Sequence, residues 1–178
     1  GWILAGFIAG GASLIEILFD ARFHAAGEML QLLALGGWFG VLEVIISAAL
    51  WAIGKPLAAT IGNAVKAGAV LVLLPLGFQI GGIMGGICAV AAAEFLKYVA
   101  SAYQLVRNDL GTLAQDGRCT LALIATAAAG LFTVHLLTGS HPIVRLTAMA
   151  CVVTAGWSPV LLPACRALIR QRRAASSP

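Results

Sequence analysis

Six long apolar stretches, separated by short polar or Gly/Pro-rich breaks, account for almost the whole chain. Their continuity predicts helices over 2–19, 29–53, 57–76, 83–106, 119–137 and 143–169. A bilayer core ~30 Å thick takes about 20 helical residues at ~1.5 Å each, so all six suit a membrane crossing. None shows the period-two alternation of a membrane β-barrel. The breaks have their own chemistry. Residues 20–27 form a polar turn, with Gly27 as cap and Glu28 favourable in the first turn of the next helix. Gly54-Lys55-Pro56 stops one helix and restarts another. Pro75 lacks a backbone donor and should bend or finish the third helix, followed by a tight turn over 77–82. Residues 107–118 are the longest polar connection, 139–142 a turn, and Pro159 and Pro163 interrupt the last helix. The fold class is therefore all-α, a polytopic membrane helix bundle of about six transmembrane helices over 1–170. A basic, Ser/Ala/Pro-rich tail at 171–178 is expected to fray. No linker divides the bundle and no internal repeat is evident.

Composition agrees with this pattern. Hydrophobic residues make up 61% and charged residues 10% of 178, with a mean hydropathy of +0.98, against about 25% charged in soluble domains. The net charge of +4 does not imply nucleic-acid binding, because Lys and Arg gather at the ends of apolar runs with no basic, aromatic-interleaved stripe. With six crossings, Lys55, Arg107, Arg118, Arg166, Arg170, Arg172 and Arg173 share one side, and only Arg22 and Arg145 face the other. The positive-inside bias puts both ends in the cytoplasm and the 20–27 turn outside. A chain that opens on Gly1 without a signal peptide reads as the later part of a longer protein.

The candidate chemistry lies inside the apolar runs. Gly36, Gly40, Glu43 and Ser47, spaced by four, three and four, form one small-and-polar helix face, the surface on which another helix or a wet cavity would sit. Larger apolar residues (Leu35, Val41, Ile45, Leu50) cover much of the remainder. Counting from the cytoplasmic ends, Glu43 lies about 18 Å deep, Lys66 and Lys97 about 15 Å and Glu94 roughly 20 Å, all near the midplane. A carboxylate there costs roughly 2.5–3.5 kcal/mol on insertion scales and needs a partner or water. Two acids and two bases in one layer form either an ionic clamp between helices or the lining of a watery path. Glu94, Lys97, Ser101 and Gln104 make a polar face toward the cytoplasmic end, and Asn63 with Lys66 a shorter patch. Lys97 is also long enough to snorkel.

Other features carry less. Cys88, Cys119, Cys151 and Cys165 form no C-x-x-C pair and read as small buried hydrophobes. No metal, catalytic or cofactor site is expected; His24 and His141 fall in turns, and His135 reads as a hydrogen-bonded packing histidine. The Gly6/Gly10, Gly81/Gly85 and Gly82/Gly86 pairs suggest helix packing, while Trp38, Trp51 and Trp157 are either interfacial or packed.

The series F-D-A-R-F-H-A-A-G-E-M-L, L-G-G-W-F, A-L-W-A-I-G-K-P, Asn63, L-P-L-G and G-G-I-M-G-G resembles the carboxy-terminal lobe of the polysaccharide export flippases. These belong to the multidrug/oligosaccharidyl-lipid/polysaccharide exporter superfamily. The resemblance covers about Leu14 to Gln104. It implies the later half of a two-lobe transporter that flips polyprenyl-pyrophosphate-linked oligosaccharide across the bacterial inner membrane for surface polysaccharide biosynthesis. The partners implied are the bilayer, the lipid-linked oligosaccharide and an amino-terminal lobe of the same protein, without nucleic acid. Lys66 or Lys97 would add positive charge to the cavity, and Glu43 or Glu94 would couple to a proton or sodium ion. Helices that form much of the family's cavity precede this segment, so these 178 residues are not expected to transport alone. Competing readings are a drug exporter of the same superfamily, a membrane enzyme of polysaccharide assembly and a scaffold subunit. The enzyme needs convergent acids, arginines or histidines on a sizeable loop, which the short connection with Asp109 and Asp116 does not offer.

Overall fold

The longest helical element, α3 (Pro56–Val106, 51 residues), is a hairpin rather than a rod. Gly82 has φ +58 and ψ −139, and Gly81 is also non-helical; the positive φ suits a residue without a side chain. The second arm, from 83 onward, runs back along the first, so that Gly62 meets Ser101 and Gly77 meets Gly85. A side chain on Gly77 would sit 2.4 Å from the Gly85 carbonyl oxygen, and one on Gly85 2.0 Å from that of Gly77. The two backbones touch because neither residue has a Cβ.

In this computed structural model, residues 1–19, 23–108, 113–137, 141 and 143–158 are described, and among them there is no strand. Around the hairpin lie α1 (Trp2–Leu18), α2 (His24–Ala52), α4 (Leu113–Leu136) and α5 (Ile143–Ser158). The all-α class is as expected. Among the described residues three helices are long and apolar enough to cross a membrane, Ala25–Ala52, Pro56–Val106 and Ala114–Leu136; α1 and α5 are apolar but shorter.

Several boundaries differ from the sequence reading. α2 starts at His24 with Phe23 as N-cap, so Gly27 is no cap. It lies inside the helix where α1 crosses, and a Cβ there would be 2.7 Å from Ala12 Cα. Pro75 does not finish the helix; the first arm continues past it, and the chain reverses at Gly81–Gly82, the last two residues of the turn expected over 77–82. Proline removes one donor, which a helix tolerates as a bend, whereas reversal needs the positive φ that glycine supplies. α4 starts at Leu113, inside the connection expected over 107–118. The expectations for Pro159, Pro163, Cys165 and the 171–178 tail fall outside the described residues.

α2 is central, packed on α1 and on the hairpin. One core joins α1, α2, α4 and α5 through Ala5, Ala9, Trp38, Leu42, Leu123, Met149, Val153 and Trp157. Trp38 and Trp157 meet edge to face at 6.4 Å, and each indole donates to a threonine of α4, Thr120 and Thr126 respectively, at 3.1 Å. These two tryptophans are therefore packed, while Trp51 is exposed. A second core, Ile46, Leu50, Ala59, Ala102 and Leu105, binds α2 to both arms of the hairpin. The outer surface carries Leu57, Leu71 and Ile80 at 80%, 77% and 88% exposure, a surface that suits acyl chains better than water. Cys88 and Cys151 also lie on it, contrary to their expected burial, and Cys119 is half-buried.

Candidate functional site

The glycine stripe of α2 brings the second hairpin arm close enough to bury a charge. A Cβ on Gly36 would lie 2.9 Å from Ala91 Cα, and one on Gly40 3.7 Å from Glu94 Oε2. One turn further on, Glu43 faces the same arm and is 1% exposed. Its Oε2 pairs with Lys97 Nζ at 2.7 Å. Its Oε1 accepts from Ser47 at 2.5 Å and from Ser101 at 3.3 Å. Ser101 fits between the arms because Gly62 has no side chain; a Cβ there would come 2.3 Å from Ser101 Oγ. Glu43 is thus a carboxylate with a counter-charge and two hydroxyl donors, the condition under which burial of an ion is tolerated.

The second pair joins the two arms. Lys66 Nζ reaches Glu94 Oε1, and both are more exposed than the first pair, at 35% and 20% of their side chains against 15% and 2%. Glu94 and Lys97, three residues apart on one arm, therefore pair outward to different helices. Lys97 ties that arm to α2, and Glu94 ties it to the first arm.

The Glu43–Lys97 pair is buried on one side and opens on the other to a cleft of about 350 Å³ between α2 and the hairpin. Ser47, Thr60 and Asn63 supply further polar lining, and Val44, Ala48, Trp51 and Ala59 the apolar part. Of the five candidate residues, Glu43, Asn63 and Lys97 line this cleft, while Lys66 and Glu94 form the neighbouring pair outside it. The polar face Glu94–Lys97–Ser101–Gln104 continues to a second cleft of about 520 Å³ at the Lys55 end of α2, where Gln104 is part of the wall.

A buried acid was missed by sequence reasoning. Asp116, assigned there to a polar loop, lies in the first turn of α4, is 8% exposed, and accepts from Tyr98 Oη at 3.3 Å. Asp116 and Thr120 are four apart, which put both on one helix face. The Thr120 hydroxyl donates to the Asp116 carbonyl at 2.8 Å while accepting from Trp38. His135 is exposed in the last turn of α4, not a packing residue.

No protein-family model, curated protein or solved structure matches this chain.

Proposed function

We propose that this chain is part of the later lobe of a flippase that moves polyprenyl-pyrophosphate-linked oligosaccharide across the bacterial inner membrane. In this reading its helices make six crossings, with both ends of the segment cytoplasmic. The observation that carries the proposal is the Glu43–Lys97 pair, one side sealed by α2 and the hairpin and the other open to a polar cleft. An ionisable pair at mid-membrane depth with an opening beside it is the form expected of a transport path. The sequence resemblance supplies the cargo class, and Glu43 is the candidate for coupling to a proton or sodium ion.

A clamp that only fixes helix register is the second reading, favoured by the complete pairing of Glu43. An exchange separates the two. In the full-length protein, Glu43→Lys combined with Lys97→Glu keeps an ion pair across the same interface but moves the carboxylate. Transport through Glu43 predicts normal membrane abundance with export of surface glycan reduced at least tenfold. Wild-type export by the exchanged protein would leave the clamp alone. Glu43→Gln and Glu94→Gln should likewise lower export at unchanged abundance.

A further inference from the structure

The second cleft lies at the α2–α3 junction, beyond the end of α2 at Ala52, which is about 14 Å along the helix from Glu43, and hence toward the edge of the apolar layer. Gly54, with φ +74, turns the chain there. Lys55 then reaches across the junction to donate to Asn108 Oδ1, at the far end of the hairpin. Asn108 is itself fixed, its Nδ2 donating to the Gln104 carbonyl at 2.6 Å. The ammonium has three donors, and this contact uses one of them. Arg107 forms part of the same wall, and among the described residues no carboxylate lines the cleft. Its volume of about 520 Å³ falls within the ~300–1,000 Å³ range of small-molecule sites. Pro56, Leu57 and Ala58 give it an apolar rim, and Leu57 is 80% exposed.

Two cations and two amides at the end of an apolar wall match a ligand with a charged oxygen-rich head and a hydrocarbon tail. We propose that this cleft binds the phosphate headgroup of an anionic phospholipid, with Lys55 and Arg107 contacting the phosphate and Pro56 and Leu57 the upper acyl chains. Free phosphate shares the head chemistry but would make no use of the apolar rim. The site is separate from the mid-membrane charges, so it stands or falls independently of the transport reading.

The test is native mass spectrometry of the intact detergent-solubilised protein titrated with phosphatidylglycerol or phosphatidylcholine. The expected result is preferential phosphatidylglycerol adducts. These should weaken on the order of 30-fold in Lys55→Gln/Arg107→Gln, about fivefold for each charge near a lipid phosphate. Lys55→Arg, which keeps the charge, should retain them, as should Arg118→Gln, a cation of α4 outside the cleft. Equal binding of the two lipids would overturn the proposal, as would adducts that survive the double substitution. Inorganic phosphate that displaces the lipid at matching concentration would overturn the assignment to a lipid.

Discussion

Lys97→Met removes the counter-charge of Glu43 while keeping most of the side-chain volume. Glu43 would keep its hydroxyl donors, Ser47 and Ser101, but its ion partner would be gone. With 2% of the Glu43 side chain exposed, water in the neighbouring cleft can screen little of the remaining charge. Breaking a buried pair from one side costs about 3–5 kcal/mol, which for a chain of this size corresponds to a fall of roughly 6–20 °C in thermal midpoint. Glu43→Gln should cost less. Gln can still accept from both serines, and the freed Lys97 is three residues from Glu94 on the same helix face, where it can find a new partner. Removing both charges, Glu43→Gln/Lys97→Met, should recover most of the Lys97→Met loss, because no ion is then left unpaired. The assay is thermal unfolding of the purified protein in detergent, followed by tryptophan fluorescence. A Lys97→Met midpoint within about 2 °C of the parent, or a double substitution worse than Lys97→Met, would refute the idea that this pair is buried and coupled.

Lys66→Met should lower the midpoint less than Lys97→Met in the same assay, because the Lys66–Glu94 pair is less buried than Glu43–Lys97 and Glu94 keeps Lys97 three residues away as a replacement counter-charge. Gly85→Ala should reduce folded yield and cost at least 1–3 kcal/mol as the hairpin arms are forced apart, while Gly68→Ala, with nothing within 4 Å, should be neutral or stabilising; similar midpoints for the two would contradict the close contact of the arms. Thr120→Val should leave the Trp38 indole without an acceptor and cost about 1–3 kcal/mol, with a change in tryptophan emission. An unchanged spectrum and midpoint would show that the Trp38–Thr120 bond does not hold this core together.

How much of the site was legible depends on which quantity the sequence encodes. The position of each charge along its helix was legible, because helical rise per residue is fixed and Glu43, Lys66, Glu94 and Lys97 can be counted from the ends of their apolar runs. The facing stripe of Gly36, Gly40, Glu43 and Ser47 was legible for a similar reason, and it does carry the second hairpin arm. Pairing was not. Which acid meets which base depends on how far α2 and the two arms are rotated and slid against one another, and Glu94 and Lys97 point to different neighbours despite their spacing. Asp116 was missed because short connections and helix starts contain the same residue types.

The sequence by itself determined an apolar helical chain with ionisable groups well inside its long apolar runs, because hydrophobic length and helical rise are local properties. The tertiary structure decided that the first arm stays helical past Pro75, so that only Gly81–Gly82 of the expected 77–82 turn leave the helix, and that Lys97 belongs to Glu43 and Lys66 to Glu94. It also decided that a cleft opens beside the Glu43–Lys97 pair. Those outcomes follow from how closely backbones approach at Gly36, Gly62, Gly77 and Gly85, and close approach is a relation between segments distant in the chain.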